Sequence, residues 1–279
     1  MSFKELPIMK EKSKGVLLFY PYVSKKSAFN IKNKLAGRWI GQGPSVDKFE
    51  NDFKKKFAKK NSVIATGSGT DSLHLAYLLA GLKKNDEVIT TVFTCTATNI
   101  PLLYMGIKIK FADVERDTMN ISIKSVKKLI TKKTKAIVCV HYGGLPCDMN
   151  SLLKIAKKNK IILIEDAAHA LGARYENKPI GSISDFTTFS FQAIKHFTTG
   201  DGGILTIKNK KLEDKAKRIR WFGIDRKKKQ QGIWKNDVHE IGFKYQMTDI
   251  AATMGCDSLK EFKFINEHRK KIYNTYLEE

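Results

Sequence analysis

Short β-branched segments alternate with lysine-rich amphipathic stretches from about residue 60 onward, and this alternation restricts the fold more than any other feature. We predict seven strands, at Ser62–Ala65, Glu87–Thr91, Ile107–Ala112, Lys135–Val140, Ile161–Glu165, Phe186–Phe191 and Gly203–Ile207. Helices are predicted between most of them, at Asp71–Leu82, Ile123–Ile130, Asn150–Lys158 and Leu212–Arg220. The alternation is typical of an α/β domain with a mostly parallel sheet. Because only a turn-rich stretch separates the last two strands, we expect one antiparallel strand.

Length and cysteine usage narrow the class of protein. The 279 residues suffice for one large domain or two small ones, and a hydrophobic share of 42% fits a soluble globular chain. The apolar run Gly15–Val23 is too short to span a bilayer, and it has no signal-peptide cleavage site. Cys95, Cys139, Cys147 and Cys256 show no C-x-x-C pair or metal-ligand spacing. We interpret them as reduced thiols of a cytoplasmic protein without a membrane segment or a metal site.

The formal net charge of +23 raises the question of nucleic-acid binding. Only seven of the 51 basic residues are arginine, whereas base and phosphate recognition favour the planar fork of the arginine side chain. No recognisable nucleic-acid module accompanies the lysine runs. We interpret the charge mainly as a solvated surface, with attraction of an anionic substrate as the second possibility.

A glycine turn follows the first predicted strand, in the stretch "ATGSGTDSLHLA", and we expect Thr70 or Asp71 to open the helix after it. Ligands of parallel α/β sheets bind at the carboxyl ends of the strands, and free N–H groups at a helix start bind phosphate. Gly67 and Gly69 let the backbone approach a ligand closely, and Thr70 adds a hydroxyl. Any capped helix start looks similar, however, and the spacing matches neither a Walker loop nor a dinucleotide fingerprint.

A carboxylate ends the fifth strand, in "IILIEDAAHALGARY", with Asp166 followed by two alanines and His169. One interpretation is structural: Asp166 caps a short helix and His169 is a partly exposed turn residue. The functional interpretation is a carboxylate that keeps a ring nitrogen protonated, as in enzymes that use pyridoxal phosphate as an electron sink.

The segment "FSFQAIKHFTTGDGG", residues 189–203, carries a lysine among apolar residues before a glycine-rich turn. Burial lowers the pKa of a lysine, so Lys195 is a candidate amine nucleophile, although a lone lysine more often extends to the surface. Ser190, at the end of the same strand, is a candidate hydrogen-bond donor to a phosphate. Together with the first turn and Asp166, this segment completes three anchors for one cofactor.

With these motifs in this order, the sequence resembles the DegT/DnrJ/EryC1/StrS family of pyridoxal-phosphate-dependent sugar aminotransferases. The resemblance runs from about Arg38 to the end of the chain. Its blocks are "RWIGQGPSVDKFE", "GSGTDSLHLA", "DEVITTVFTCTATN", "VHYGGLPCDM", "IEDAAHALGA", "FSFQAIKHFTTGDGG" and "IGFKYQMTDIAA". It implies a fold-type-I large domain, with a mostly parallel sheet, helices on both faces, and pyridoxal phosphate as cofactor.

The resemblance also assigns catalytic roles. Lys195 matches the lysine that bonds to the cofactor as an imine and then moves the proton between substrate and cofactor carbons. Asp166 matches the carboxylate that pairs with the pyridine nitrogen. His169 lies where relatives have a His, Gln or Glu near the ring. A dehydrating branch of the family has histidine in place of the lysine, and although His196 is adjacent, the register from Ser190 favours Lys195 and transamination.

Further positions match the cofactor-binding residues of the family. Thr70 and Asp71, in the turn with Gly69, match phosphate binders that act through backbone N–H groups, and Ser190 matches a third. Cys95 lies where many relatives have an aromatic residue that stacks on the ring, so stacking is weaker here or comes from Phe93. Gln246 lies in a region that the neighbouring subunit supplies, which implies a homodimer with shared active sites.

The resemblance divides the chain into three parts. Residues 1–44 are expected to be an N-terminal segment that packs on the large domain. Residues 45–260 are expected to be the pyridoxal-phosphate-binding large domain, and residues 261–279 the start of a small C-terminal domain that is largely absent.

The implied reaction transfers an amino group, with glutamate as the donor, to a keto sugar attached to a nucleoside diphosphate. Cell-surface polysaccharide or lipopolysaccharide synthesis is the expected setting. Two alternatives stay open: a cofactor-binding homologue that is inactive or regulatory, and a nucleic-acid binder driven by charge.

Overall fold

Seven strands form one twisted sheet in the structure, a computed structural model that describes residues 20–232 and 238–278. These strands are β1 (Ser62–Thr66), β2 (Glu87–Thr91), β3 (Lys108–Ala112), β4 (Thr134–Val140), β5 (Ile162–Asp166), β8 (Phe186–Ser190) and β9 (Gly203–Ile207). A separate antiparallel hairpin consists of β6 (Arg174–Tyr175) and β7 (Lys178–Pro179). The order in the large sheet is β1-β9-β8-β5-β4-β2-β3.

The predicted strands are confirmed, each with bounds within one residue of those observed. Strands β3, β2, β4, β5 and β8 run parallel to one another, whereas β9 lies antiparallel between β1 and β8. The expected single antiparallel strand is therefore β9. Its insertion brings the end of β8 and the start of β9 beside the turn that follows β1.

The described residues contain more helices than the sequence predicted. The helices are α1 (Lys25–Leu35), α2 (Pro44–Phe57), α3 (Gly69–Leu79), α4 (Thr96–Tyr104), α5 (Ile123–Leu129), α6 (Met149–Asn159), α7 (Glu213–Ile219), α8 (Arg226–Gln230) and α9 (Asp249–Glu278). The four predicted helices correspond to α3, α5, α6 and α7. The expectation that Thr70 or Asp71 opens α3 is wrong, because the Ser68 hydroxyl accepts the Asp71 N–H at 3.0 Å and makes Ser68 the N-cap.

Helices cover both faces of the sheet, as the fold class requires. On one face, β5 contributes Leu163 to a core shared with α2, α6 and α9. On the other face, the next residue, Ile164, joins a core shared with α3, α4 and α7. Alternation along the strand therefore sends Glu165 and Asp166 to opposite faces as well, because successive strand side chains point to opposite sides.

Asp249, the first residue of α9, fastens that helix to the start of α2. Its fully buried carboxylate accepts hydrogen bonds from the N–H groups of Gly43 at 2.8 Å, Ser45 at 3.1 Å and Val46 at 3.2 Å. The Lys34 ammonium lies 3.3 Å from the same carboxylate. The carboxylate thus satisfies N–H groups that a helix start leaves without partners.

The expected domain divisions stay proposals, and the fold bears on two of them. The division between residues 260 and 261 falls inside α9, which is continuous from Asp249 to Glu278. The described part of the N-terminal segment packs on α9, with hydrogen bonds from Tyr22 to Glu261 at 2.6 Å and from Asn30 to Asp257 at 2.8 Å. Residues 1–19, including most of the apolar run 15–23, lie outside the described residues. Within residues 20–232 and 238–278, no helix is long and apolar enough to cross a membrane.

Asp249→Ala should lower the free energy of unfolding by about 2 to 3 kcal/mol, because it leaves buried N–H groups without an acceptor. Asp52→Ala, which removes the partner of Lys48 in a solvent-accessible ion pair on α2, is the control and should cost less than about 0.5 kcal/mol. Urea unfolding of both variants measures the difference. Equal effects would show that the buried cap contributes no more than a surface ion pair.

Candidate active site

A cleft of about 360 Å³ opens at the carboxyl ends of the strands. Seven of the nine predicted site residues line it: Gly69, Thr70, Cys95, Asp166, His169, Ser190 and Lys195. These residues are scattered over about 130 positions of sequence, and the parallel sheet brings them to one edge. Asp71 and Gln246 are the two predicted residues that do not line the cleft.

The turn after β1 presents the start of α3 to the cleft. N–H groups in the first turn of a helix have no intrahelical acceptor, so those of Gly69 and Thr70 are available to a ligand. Glycine is required at position 69, because a Cβ there would lie 2.8 Å from the Cβ of Ser190. Glycine is also required at position 203, where a Cβ would lie 2.2 Å from the Ser68 carbonyl oxygen. The turn is therefore held closely against the end of β8 and the start of β9.

The Asp71 side chain points back along the turn instead of into the cleft. Its Oδ2 lies 2.9 Å from the position that a Cβ on Gly67 would take. Burial raises the pKa of Asp71 to about 6, with a smaller contribution from Asp201, although hydrogen bonds with Ser68 oppose the rise. The Asp71 N–H already donates to the Ser68 hydroxyl at 3.0 Å, so neither the carboxylate nor the N–H of Asp71 is directed at a phosphate in this structure.

Gln246 lies behind the same turn within one chain. Its backbone forms an antiparallel bridge with Thr66, and the neighbouring Tyr245 carbonyl accepts the Gly67 N–H at 2.7 Å. The buried Gln246 Oε1 has no hydrogen-bond partner among the described residues. A role for Gln246 in a site shared between subunits stays a prediction.

Asp166 ends β5 with its carboxylate already oriented. Thr98 Oγ1 donates to Oδ2 at 2.7 Å, and the Ala168 N–H donates to Oδ1 at 3.1 Å. The side chain is 5% exposed, yet it lines the cleft. Turns, and no helix, follow over residues 167–172, so the interpretation of Asp166 as the cap of a short helix is wrong.

Lys195 lies in the irregular segment between β8 and β9. Burial lowers the pKa of Lys195, and this effect outweighs the opposing influence of Asp166 and Cys95. Its backbone is held at both ends, because its N–H donates to the Gln192 carbonyl at 2.9 Å and its carbonyl accepts from Arg269 of α9 at 3.2 Å. The lowered pKa increases the fraction of neutral amine near physiological pH.

The two histidines near Lys195 have different surroundings. His169 lines the cleft, and burial together with the Lys195 charge lowers its pKa against the opposing effect of Asp166. Burial lowers the pKa of His196 to about 4, and His196 is not among the described residues that line the cleft. The lysine, and not the adjacent histidine, therefore faces the cavity.

Of the two residues considered for the stacking position, Cys95 lines the cleft and Phe93 does not. Cys95 is an exposed thiol at the N-cap position of α4. The Phe93 ring packs against Tyr142 with centroids 4.6 Å apart, and Tyr142 rather than Phe93 lines the cleft. Sequence reasoning missed Tyr142 and Thr94, although both lie just beyond strands, β4 and β2, where the ligand-edge rule applies.

A buried polar cluster lies on the opposite face of the sheet, behind Asp166. His141 Nε2 is 2.8 Å from Glu165, and His141 Nδ1 accepts the Cys147 N–H at 3.1 Å. Burial alone would raise the pKa of Glu165, but hydrogen bonds from His141 and Ser184 leave it lowered. The potential ligand atoms of Cys139, His141 and Cys147 lie within 4.8 Å of one another. Both ring nitrogens of His141 are engaged, so this cluster is best described as a hydrogen-bonded support for the sheet edge.

Comparison with protein families identifies the class. The profile of the DegT/DnrJ/EryC1/StrS aminotransferase family matches residues 21–279. The chain belongs to this family. Its fold is the fold-type-I pyridoxal-phosphate transferase fold, and as a family member it is a sugar aminotransferase that uses pyridoxal phosphate.

Individual relatives agree over most of the chain. An uncharacterized protein of Methanocaldococcus jannaschii is 40% identical over 265 residues, which are 94% of this chain and 68% of the relative. The GDP-perosamine synthase of Escherichia coli O157:H7 is 34% identical, covering 94% of this chain and 71% of that protein. Spr1654 of Streptococcus pneumoniae is assigned as a sugar aminotransferase. Its PMP form superimposes with a TM-score of 0.89 at 28% identity, over 94% of this chain and 71% of that chain.

The geometry of the cleft fits pyridoxal phosphate. The space between Gly69 and Ser190, which a Cβ on residue 69 would fill, suits a phosphate. The hydrogen-bonded carboxylate of Asp166 suits a protonated ring nitrogen. Lys195 supplies a half-buried amine in the same cavity. The first two anchors lie at the start of α3 and the end of β5, and Lys195 lies in the segment that joins β8 to β9.

Gly69→Ala should weaken binding of pyridoxal phosphate at least about tenfold, or about 1.4 kcal/mol, because the new Cβ forces the turn away from Ser190. Gly41→Ala is the control, since a Cβ at Gly41 meets nothing within 4 Å. Titration of the apo-protein with the cofactor measures both. Unchanged affinity for Gly69→Ala would exclude the turn as the phosphate site.

Asp71→Asn should stabilise the apo-protein increasingly as pH rises from about 4 to above 6. The folded protein retains the Asp71 proton up to a pKa of about 6, whereas the unfolded chain loses it near its ordinary value of about 4. The charged carboxylate therefore destabilises the fold above that window and not below it. Urea unfolding of both proteins across the window tests this, and a difference that is independent of pH would contradict it.

Proposed function

We propose that the chain transfers an amino group from glutamate to the carbonyl carbon of a keto sugar linked to a nucleoside diphosphate. The observation that carries the proposal is the presence of Lys195, Asp166 and the free N-terminus of α3 in one cleft. These three groups have no shared structural purpose, but together they match the reactive parts of pyridoxal phosphate.

Each group has a distinct role in this proposal. The N–H groups of Gly69 and Thr70, with the Ser190 hydroxyl, hold the phosphate, favoured by the α3 dipole. Asp166 holds the proton on the ring nitrogen. Bound pyridoxal phosphate supplies an electron sink that makes the α-proton of the amino donor acidic.

Lys195 is the proposed proton carrier. Its lowered pKa favours a neutral amine. That amine would accept the α-proton of the amino donor at Nζ and would deliver it to a carbon of the cofactor. The same residue then moves the proton in the reverse sense when the keto sugar binds. His169 is kept neutral by its lowered pKa, so it contributes packing beside the ring without adding a second cation.

The nucleotide-linked sugar is supported by similarity and by charge. A 34% identical relative is named as the synthase of a GDP-linked sugar. The net charge of +23 favours an anionic substrate over a neutral one, because it raises the local concentration of anions. Glutamate as the amino donor follows from the family resemblance. We place the reaction in the synthesis of cell-surface polysaccharide or lipopolysaccharide.

A homodimer with shared sites is part of the proposal. Large apolar side chains remain exposed around α4, with Val92 and Tyr104 each 71% and Leu103 57% exposed. Exposed apolar groups of this size favour burial against a partner surface.

The four cysteines are free thiols, which suits the reducing cytoplasm.

Lys195→Ala should abolish both the cofactor adduct and turnover. Reduction of the wild-type complex with borohydride, followed by peptide mapping, should place the adduct on Lys195. Adding glutamate to an unreduced sample should give 2-oxoglutarate and pyridoxamine phosphate.

Asp166→Ala should slow this half-reaction by about 10² or more, since the ring nitrogen loses its partner.

The control is Lys154→Ala, which removes an exposed lysine on α6 and should leave all readouts unchanged. An adduct on another lysine would contradict the assignment of Lys195. An adduct on Lys195 without conversion by glutamate would instead identify a cofactor-binding homologue that is not an aminotransferase for this donor.

A further inference from the structure

We propose that Thr98 is a positioning residue of the active site, which fixes the plane of the Asp166 carboxylate through a directed chain of hydrogen bonds. The inference rests on the proposed pairing of Asp166 with the cofactor ring. It adds a buried residue of α4 behind the cleft that Cys95, the N-cap of the same helix, already lines.

The direction of the hydrogen bonds follows from chemistry. A carboxylate can only accept, so the Thr98 hydroxyl donates its one proton to Asp166 Oδ2 at 2.7 Å. Thr98 Oγ1 also lies 2.7 Å from Thr94 Oγ1, and with its own proton already used it must accept there. The chain therefore runs from Thr94, which lines the cleft, through Thr98 to Asp166. Donors in such a chain polarise one another, which strengthens the final bond to the carboxylate.

The Asp166 side chain cannot set its own orientation. The last torsion of an aspartate is broad, so rotation of the carboxylate about that bond has little intrinsic cost. Two donors from different elements define it here, Thr98 at Oδ2 and the Ala168 N–H at Oδ1. Removal of the Thr98 donor would free one oxygen to rotate and to bind water from the cleft.

The backbone of Thr98 is itself fixed to the helix that carries the phosphate turn. The Tyr77 hydroxyl, from the interior of α3, donates to the Thr98 carbonyl at 2.7 Å. Both residues have no exposed surface. Because α3 begins at Gly69, Thr98 contacts both the helix that presents the proposed phosphate site and the carboxylate proposed to face the ring nitrogen. Thr98 thereby sets the separation of two anchors that must fit one molecule.

The test compares Thr98→Val with Thr98→Ser. Valine keeps the shape and β-branching but has no donor, whereas serine keeps the hydroxyl. We expect Thr98→Val to weaken binding of pyridoxal phosphate to the apo-protein about tenfold, as for loss of one hydrogen bond to a charged group. The midpoint of the pH titration of the visible cofactor band should also move. Thr98→Ser should restore both.

Thr90→Val is the matched control. Thr90 lies on β2 with no exposed surface, and its Oγ1 has no hydrogen-bond partner among the described residues. The same change of side chain there should alter neither cofactor affinity nor the pH titration. If Thr98→Val does not fold, as judged by thermal unfolding of the apo-protein, Thr98→Ala supplies the same comparison with serine.

The outcomes separate this inference from the proposed function. Wild-type affinity and titration in Thr98→Val would overturn the positioning role while leaving the cofactor site intact. Weak binding in both Thr98→Val and Thr98→Ser would identify a packing effect and would also overturn it. Failure of the wild-type protein to form the Lys195 adduct would refute the proposed function itself.

Discussion

The site depends on the fixed carboxylate of Asp166. β5 lies in the interior of the sheet, between β4 and β8, so the position of its last residue is determined by strands on both sides. Two donors then fix the two carboxylate oxygens before any ligand is present. Preorganisation of this kind matters because a charged group that must reorient during a reaction loses much of its electrostatic effect.

The remaining anchors are placed relative to that carboxylate by close backbone contacts. Strand β9 enters the sheet antiparallel, and glycine at position 203 allows its first residue to touch the turn after β1. Helix α9 acts at two distant points: Asp249 caps α2, and Arg269 holds the carbonyl of Lys195. The turn at Gly69, the Asp166 carboxylate and Lys195 are therefore brought together by contacts between elements that lie far apart in sequence.

The sequence predicted those features that depend on local pattern. The seven strands were predictable because β-branched runs bounded by turns are distinctive, and the ligand edge followed from parallel topology. Helices α1, α2, α4 and α8 were missed, as was the start of α9. In α4, the threonines of "TCTATN" and Pro101 favour other local structure, and the helix forms because Tyr77 and the core hold it. The start of α9 was missed because its polar first residue, Asp249, contacts Gly43, which lies 206 positions away.

The same distinction holds for the site. Lys195, Asp166 and the turn at Gly69 stand out as unusual residues after apolar strands, so their gathering in one cleft was predictable. Thr98 was not, because a threonine in a threonine-rich segment has no signature until its hydroxyl is seen to face Asp166. The orientation of Asp71 was likewise hidden, since Ser68 becomes the helix cap only through a specific backbone geometry.

The proposed role of Asp166 is to keep the ring nitrogen of bound pyridoxal phosphate protonated. The most direct measurement is the ¹⁵N NMR chemical shift of ring-labelled cofactor bound to the wild-type chain, compared with the shift in Asp166→Ala at the same pH. We expect the shift of a protonated pyridinium in the wild-type chain. The shift of an unprotonated ring nitrogen in the bound cofactor would contradict it.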